Sequence, residues 1–331
     1  MLLLLAACQR TKKTEIAFYH WRTQLQLNAA EQQYLKQLDA KRLYVKFFDV
    51  DWNFNRAAAI PLASAQIKES GLGDLEIIPT IFITNRTFTH LSTDSIPALA
   101  DRIYQRIFQL CPDHFRIQEI QLDCDWTQST KSAYFQLLKA LEQSLTPKQI
   151  DLSVTIRLHQ IKYFERTGVP PVKRGMLMFY NMGDLERWEE PNSILNLEIG
   201  NSYLDRLGEY PLPLDLALPL FEWGVAFRGE QFIKLINNLR AEDLERNPSV
   251  VKIAPKRYIL NKSAYINGYY LYKGDRLRLE NCEMQQLKKA ATVLAKKRSF
   301  AQQRVTFYHL DSILIKQFPY VELEKIRSEF H

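Results

Sequence analysis

The sequence has few cysteines and no closely spaced cysteine pair. Its 331 residues include only four, at positions 8, 111, 124 and 282. Without Cys8 the number is odd and no CxxC occurs, which excludes a dense disulfide framework and argues against a zinc or thiol redox motif. Cys124 falls within a predicted strand, so we expect it to be a small buried hydrophobic side chain.

The chain also lacks any run that approaches the ~20 apolar residues needed to span a bilayer. Its amino terminus instead has a short apolar run, residues 2–5, followed by Ala6, Ala7 and Cys8. This arrangement resembles a bacterial lipoprotein signal. It predicts a signal over residues 1–8, lipid on Cys8, a linker over residues 9–15 and a place in the cell envelope. The alternative is a chance cysteine after a short apolar terminus.

Nothing in the charge pattern indicates a nucleic-acid partner. The formal net charge is +7, and the 44 basic residues are spread along the whole chain. No zinc-ligand spacing, helix-turn-helix pattern or aromatic-basic recognition sequence occurs. We therefore expect no nucleic-acid binding, and we expect the protein to be a monomer.

Strand-like apolar segments alternate with helical patterns throughout the chain. The predicted strands are 16–22, 42–50, 76–84, 119–126, 150–159, 175–182, 212–221 and 304–310. The predicted helices are 29–38, 95–110, 130–145, 193–207, 231–244 and 283–298. This alternation predicts an α/β fold, a (β/α)8 TIM barrel formed by one domain over residues 16–331. The tyrosine-rich stretch 258–272 predicts a small insertion between the seventh and eighth strands.

Alternation along the strands predicts which side chains face the barrel interior, because the outer face must pack on helices. The predicted inward residues are Tyr44, Lys46, Phe48, Gln121, Asp123, Asp125, Thr127, Asp151, Ser153, Thr155, Arg157, His159, Asp215, Ala217, Pro219 and Phe221. Buried charges must be paired. We therefore predict that Asp123 and Asp125 point inward and that at least one pairs with Lys46 or Arg157. An ion-pair network with no chemistry is the alternative.

Four of these segments together resemble glycoside hydrolase family 18, the chitinase-like barrels. The first strand, Phe18-Tyr19-His20-Trp21, fits that family's opening aromatic strand. The fourth strand, Leu122-Asp123-Cys124-Asp125-Trp126-Thr127, is similar to that family's DxxDxDxE motif. The sixth, with Met178-Phe179-Tyr180-Asn181, resembles its Met-x-Tyr-Asp segment, and the seventh, 216–223, its Gly-x-Pro-x-Tyr-Gly strand. The resemblance implies a sugar-binding site at the C-terminal ends of the strands. It also implies that Asp125 and Tyr180 stand where the family steadies the substrate's acetamido group.

The departures from the family motif concern its chemistry. The family's general acid is replaced by Thr127, which cannot donate a proton at a useful pKa. The motif's first aspartate is replaced by Ile120, and the aspartate after the tyrosine by Asn181. Because proton donation to the leaving group is typically worth ~10²–10⁴-fold in rate, we do not expect chitinase activity by the family's route.

Other residues near predicted strand ends complete the candidate site. Glu222 is a candidate for a relocated acid or base, or it simply solvates a loop. Asp49 and Asp51 could orient sugar hydroxyls or cap the next helix, and Trp52 and Trp223 could stack on sugars. His20, His159 and His309 could conceivably form a metal site, but we expect neither a metal nor a cofactor.

The sequence therefore predicts a glycoside-hydrolase-like barrel that binds a glycan or polysaccharide. The candidate catalytic residues are Asp123, Asp125, Tyr180 and Glu222. The candidate ligand-binding residues are Lys46, Asp49, Asp51, Arg157, His159, Asn181 and Trp223. Two alternatives stay open: an active glycosidase with a relocated acid such as Glu222, and a non-catalytic barrel that binds another protein.

Overall fold

The computed structural model describes residues 14–68, 71–112, 115–299 and 303–330. Eight parallel strands form a closed barrel in chain order, and the first strand pairs with both the second and the eighth. The strands are Glu15–His20, Arg42–Asn53, Glu76–Ile83, Glu119–Asp123, Asp151–Ile156, Arg174–Met178, Leu214–Pro219 and Arg304–Tyr308. The predicted (β/α)8 barrel is confirmed.

Helices cover the outside of the barrel between most of the strands. They are Ala29–Gln37, Asn85–His90, Ile96–Leu110, Lys131–Leu145, Leu158–Lys162, Phe164–Thr167, Leu197–Tyr203, Met284–Lys297 and Tyr320–Ser328. Short 3-10 helices occur at Thr93–Ser95, Thr146–Lys148, Leu207–Glu209 and Leu314–Gln317. After the second strand the chain instead forms Ala58–Leu62, which pairs antiparallel with that strand, and Gln66–Ile67, which pairs with Gln24–Leu25.

The helix Ile96–Leu110 shows why these segments fold as they do. Ile96, Leu99, Ile103 and Ile107 recur at helical spacing, and all four are buried against the barrel. A proline in the first turn suits a helix start, since the amide hydrogen that proline lacks has no partner there.

An insertion separates the seventh strand from the helix Met284–Lys297. Five strands form an antiparallel sheet in the order Gln231–Asn237, Glu222–Arg228, Arg276–Asn281, Arg257–Leu260 and Val250–Ala254. A separate hairpin pairs Ala264–Ile266 with Tyr269–Leu271. The insertion has its own small apolar core, which includes Ile236, Leu244 and Tyr258.

Several predicted boundaries and elements are wrong. Residues 231–244 were expected to be helical, but they form the strand Gln231–Asn237 and then the short helix Ala241–Glu245. Alternate residues of that strand can pack on the insertion's core, so its apolar pattern fits a sheet as well as a helix. The helix predicted at 193–207 is limited to Leu197–Tyr203, and His159 lies in the helix Leu158–Lys162 rather than in the fifth strand.

A buried charge network closes the N-terminal end of the barrel, here called the barrel floor. Arg304 donates to Glu119, and Ser153 donates to the other oxygen of that carboxylate at 2.6 Å. Asp215 accepts from Arg174 Nη1 at 3.0 Å and from the backbone N–H of Arg304 at 2.9 Å. The inward orientation predicted for Asp215 places it in this network, whereas Asp151 is exposed rather than interior.

Candidate functional site

Two adjoining cavities open at the C-terminal ends of the barrel strands, where (β/α)8 enzymes place their sites. The larger, here called the mouth cleft, has a volume of about 480 Å³. It is lined by Trp21, Arg22, Lys46, Asp49, Phe82, Asp123, Arg157, Tyr180, Asn181, Phe221, Glu222, Trp223, Asn237, Asn238, Tyr308, His309 and Asp311. The smaller, the side cavity, has about 270 Å³ and shares Arg157, Tyr180 and Asn181 with the mouth cleft.

A still larger depression of about 670 Å³ lies at the opposite end of the barrel. One of the charged side chains that line it is Arg42, which forms ion pairs with both Glu15 and Glu76. We assign the site to the mouth cleft, because polar side chains there come from the ends of several different strands.

Asp123 and Arg157 form an ion pair at the centre of the mouth cleft. Asp123 ends the fourth strand and accepts from Thr155 Oγ1 at 2.6 Å and from Arg157 Nη2 at 3.3 Å. Burial is the largest single influence and works against the charge on Arg157, but the combined interactions with Asp123, Tyr180, Asp125 and Tyr308 outweigh it and raise the pKa of the guanidinium. The predicted pairing of Asp123 with Arg157 is therefore present.

A β-bulge in the second strand turns Asp49 into the mouth cleft. The register against the third strand shifts between Lys46 and Phe48, so the inward side chains are Lys46 and then Asp49. Lys46 Nζ donates to Asp49 Oδ2 at 2.8 Å and lies 5.7 Å from the ring centre of Trp21. The prediction that Phe48 faces inward is wrong, since Phe48 packs outside the barrel beside Leu99. Strict alternation cannot reveal such a bulge.

Asp51 has a different environment, although it lies only two residues further along the strand. Its Oδ1 accepts from Thr84 Oγ1 at 2.6 Å and from Arg86 Nε at 3.0 Å. The hydrogen bond from Arg86 lowers the pKa of Asp51, and burial opposes this shift only in part. Asp51 does not line the mouth cleft. It ties the second strand to the start of the helix Asn85–His90, the structural role weighed for it from the sequence.

Asp125 and His159 meet at the rim of the side cavity. His159 Nε2 lies 3.4 Å from Asp125 Oδ1, and the side chains are 38% and 56% exposed. The side chain of Asp125 is therefore exposed to solvent at the rim and is not buried inside the barrel, although alternation along the fourth strand predicts an inward side chain. The side cavity also contains Tyr203, which the sequence pattern did not indicate.

Aromatic rings form much of the wall of the mouth cleft. Tyr180 lies with its ring centre 5.3 Å from that of Tyr308 and 5.8 Å from that of Phe221. Burial raises the pKa of Tyr180, so its hydroxyl stays protonated at neutral pH. Trp21 lies 5.6 Å from Tyr308, measured between ring centres. Tyr308 was not singled out from the sequence, although strand alternation around it could have indicated its inward orientation.

The tryptophans expected to stack on sugars lie elsewhere or are already engaged. Trp52 does not line the mouth cleft and stacks on His90, with ring centres 5.7 Å apart. Trp223 lines the mouth cleft but is only 7% exposed, and its Nε1–H donates to Glu280 Oε2 at 2.8 Å. Trp21, which the sequence did not favour, is half-buried and borders the open space.

Glu222 is the first residue of the insertion and lines the mouth cleft. It is 8% exposed, and its Oε1 accepts one hydrogen bond from Gln317 Nε2 at 2.9 Å. Burial raises the pKa of Glu222, and the hydrogen bond from Gln317 lowers it to a smaller extent. A desolvated carboxyl group of this kind can hold a proton above the usual pH range of glutamate.

Thr127 lies where the resemblance places the family's proton donor. It is exposed, and its hydroxyl lies 2.9 Å from Ser129 Oγ and 3.3 Å from Thr130 Oγ1, beside the start of the helix Lys131–Leu145. These contacts organise the turn before the helix. They supply no acid for proton transfer.

Among the residues that the structure describes, no cluster of three or more histidine, cysteine, aspartate or glutamate side chains could hold a metal ion. In the same part of the chain, no helix is long and apolar enough to cross a membrane. Cys8 and the predicted signal lie outside the described residues.

The barrel has an antiparallel sheet inserted after the seventh strand and a mouth lined by polar and aromatic side chains. Its fold matches the spore cortex-lytic enzyme SleL of Bacillus megaterium QM B1551 with a TM-score of 0.59 and 13% identity, over 97% of this chain and 75% of that one. It matches the GH18 chitinase ChiB of Flavobacterium johnsoniae with a TM-score of 0.56 and 11% identity, over 96% and 94% of the two chains.

A third match is the C-terminal domain of a putative chitinase from Desulfitobacterium hafniense DCB-2. Its TM-score is 0.57 at 10% identity, over 97% of this chain and all of that domain (100%). At such identities the likeness shows the fold alone, a (β/α)8 barrel. No protein-family model and no curated protein matches the sequence.

Proposed function

We propose that this protein binds carbohydrate in the mouth cleft and does not cleave it by the family 18 route. The supporting observation is the combination of aromatic rings with buried polar atoms that have no protein partner among the described residues. Those atoms are Asp49 Oδ1, Arg157 Nε and His309 Nδ1. A ligand with many hydroxyl groups can satisfy such donors and acceptors while its apolar ring faces pack on Trp21 or Tyr308.

The local charges favour a neutral ligand over a strongly charged one. Three cations line the mouth cleft, and each lies beside a carboxylate: Lys46 with Asp49, Arg157 with Asp123, and Arg22 with Asp311 at 3.9 Å. Paired charges present hydrogen-bonding atoms without a large net field. Neutral sugar hydroxyls suit this arrangement.

The chitinase mechanism lacks its proton donor at Thr127. Asp123 is held by Thr155 and Arg157, and Asp125 lies at the wet rim. We therefore expect no turnover of a chitobiose reporter at ordinary enzyme rates. Turnover that is abolished by Asp125→Asn would contradict this part of the proposal.

Two neighbouring aspartates provide a matched test of glycan binding. Isothermal titration against chito-, cello- and xylo-oligosaccharides and soluble peptidoglycan fragments would be run on the wild type, Asp49→Asn and Asp51→Asn. Both changes neutralise a carboxylate paired with a cation, but only Asp49 lines the mouth cleft. We expect roughly tenfold weaker binding for Asp49→Asn and wild-type binding for Asp51→Asn. Equal effects, or no binding of any glycan by the wild type, would refute the site.

A second candidate function is hydrolysis with Glu222 as a relocated acid. It is favoured by one observation, the raised pKa of a buried carboxyl group that lines the mouth cleft. A reducing-sugar assay on the same glycans, with Glu222→Gln and the exposed Glu198→Gln as a control, tests it. Product formation that only Glu222→Gln removes would establish this alternative.

The amino-terminal sequence supports a further part of the proposal. A lipidated Cys8 would hold the barrel at a membrane of the bacterial cell envelope, as a monomer and without nucleic acid. Mass spectrometry of the membrane-extracted protein tests this directly. A chain that starts at a lipid-modified Cys8 is expected, and a soluble product with an intact Met1 would end the idea.

A further inference from the structure

The outer side of the hairpin in the insertion carries three tyrosines whose rings touch. Tyr265 pairs across the hairpin with Tyr270, and Tyr272 follows two residues later on the same side. The ring centres are 5.1 Å apart for Tyr265 and Tyr270 and 5.2 Å apart for Tyr270 and Tyr272. The three residues are 71%, 48% and 52% exposed. We call this surface, formed by Tyr265, Tyr270 and Tyr272, the tyrosine face.

The hairpin is fixed in place from its other side. Ile266 and Leu271 point inward and are 3% and 1% exposed, within the apolar core of the insertion. Mutual ring contacts can add to hairpin stability. However, anchoring by the two inward residues does not require three large aromatic rings to stay open to solvent, and exposed apolar patches often mark binding surfaces.

The hairpin also contacts the wall of the mouth cleft. Asn267, in the turn of the hairpin, donates from Nδ2 to the backbone carbonyl of Asn237 at 2.9 Å. Asn237 lines the mouth cleft. A chain molecule that leaves the mouth cleft on this side therefore meets the same hairpin that presents the tyrosine face.

The composition of the face indicates the chemistry of its occupant. Its outward residues are rings with hydroxyl groups rather than aliphatic side chains, which suits a ligand that has flat apolar faces and polar edges. One cation beside the face, Arg228, is already engaged, because it lies 4.4 Å from the ring centre of Tyr272 and donates to both oxygens of Asp275 at 2.9 Å. A polyanion would therefore compete with an existing ion pair, whereas the C–H face of a sugar ring would not.

We propose that the tyrosine face is a second binding surface for polysaccharide, which holds the part of the chain that extends beyond the mouth cleft. The inference rests on the proposed function and makes it more specific: the ligand is a polymer rather than a mono- or short oligosaccharide. Adjacent rings are tilted by 62° and 84° to each other, so one ring can stack on the face of a sugar while the next contacts the edge of the neighbouring sugar.

The test compares polymers with short sugars of the same backbone. Affinity electrophoresis in glycol chitin and in hydroxyethyl cellulose measures polymer binding, and calorimetry measures chitotriose and cellotriose. The variants are Tyr265→Ser with Tyr270→Ser, and the same two positions changed to Phe. The control is Tyr163→Ser with Tyr320→Ser, two tyrosines that are each 38% exposed elsewhere.

We expect the Ser pair to lose roughly tenfold in polymer affinity, with trisaccharide affinity unchanged and the Phe pair close to the wild type. Thermal melts establish that each variant is folded, and the single variant Tyr265→Ser, at the most exposed of the three rings, replaces the Ser pair if the pair does not fold. Unchanged polymer affinity in the folded Ser pair, with trisaccharide binding intact, overturns this inference alone. No binding of any sugar by the wild type overturns it together with the proposed function. Tyrosine-dependent binding of anionic vesicles or of single-stranded DNA, without polymer binding, also overturns it.

Discussion

At the barrel floor, Glu119 and Asp215 are held by Arg304 and neighbouring donors, whereas at the mouth Asp123 and Arg157 face an open cavity. Both ends thus contain buried ion pairs built from the ends of barrel strands. The two ends differ in how many of their buried polar atoms have a hydrogen-bond partner. On the floor every carboxylate oxygen of the two acids accepts a hydrogen bond from within the network.

At the mouth, by contrast, Asp49 Oδ1, Arg157 Nε and His309 Nδ1 have no partner among the described residues. Leaving buried polar atoms unpaired costs free energy, about 1–3 kcal/mol for each neutral group. In the floor network no carboxylate oxygen of Glu119 or Asp215 carries that cost, although buried atoms without a partner also occur elsewhere among the described residues, such as Glu15 Oε1 and Tyr134 Oη. The comparison supports the proposal that the mouth network is arranged for a ligand, whereas the floor network holds the barrel together.

The largest loss of stability should come from a substitution that breaks the floor network. Arg304→Met leaves the carboxylate of Glu119, which is 5% exposed, without its cation, while Asp215 keeps Arg174 and the backbone N–H of residue 304. The unfolding free energy should therefore fall by about 3–5 kcal/mol. Urea denaturation measures the loss. Lys173→Met, which breaks the exposed pair with Asp151, is the matched control and should show no measurable change. Similar losses for the two variants would mean that the floor network is not a main source of stability.

The second prediction concerns the loss of stability in acid, to which the buried His20 should contribute. Burial, together with the nearby charge of Arg22, lowers the pKa of His20 from 6.5 to about 3. Between these two pH values His20 is protonated in the unfolded chain but not in the folded one. The free energy of unfolding therefore falls as pH drops from 6.5 towards 3. His20→Gln should flatten this fall in urea melts between pH 7 and 4, and the exposed His90→Gln should not.

Part of that acid response should remain in His20→Gln. Burial also lowers the pKa of His309, so this second histidine keeps some of the slope. A profile identical to that of the wild type would show that His20 does not titrate between the folded and unfolded states as its burial implies.

The sequence was sufficient for the barrel and for the Asp123–Arg157 pair, because apolar alternation along the fourth and fifth strands is regular. It was insufficient where the backbone departs from regularity. The bulge before Phe48 brings Asp49 inward and sends Phe48 outward, and no side-chain pattern records that extra residue. The position of Trp21 at the mouth cleft depends on how the first strand ends, which is also a matter of tertiary packing.

The third prediction separates stability from binding at the mouth. Arg157→Met and Asp123→Asn should each cost about 1–3 kcal/mol, less than Arg304→Met, because Arg157 is 22% exposed and water can reach the pair. In a double-mutant cycle the two changes should be non-additive, since the residues contact each other. Calorimetry with the bound glycan should show the larger change in affinity. Strictly additive stability effects would show that the pair is not coupled.

The smallest effect is expected at Glu222, where burial favours the protonated carboxyl group. The raised pKa of the folded state means that the stability contributed by this group is present below the ordinary glutamate pKa and is lost as pH rises through the folded value. Glu222→Gln keeps an acceptor for Gln317 but cannot ionise, so it should be more stable than the wild type at pH 7, on the order of 1 kcal/mol. The difference should vanish near pH 3, below the ordinary glutamate pKa of about 4.3, because the wild-type group is then protonated in both states. Urea melts at pH 7 and pH 3 measure this, with the exposed Glu198→Gln on the helix Leu197–Tyr203 as the control. A gain that persists at pH 3 would have to come from packing rather than from the charge, and it would remove the reason to consider Glu222 as a proton donor at the mouth.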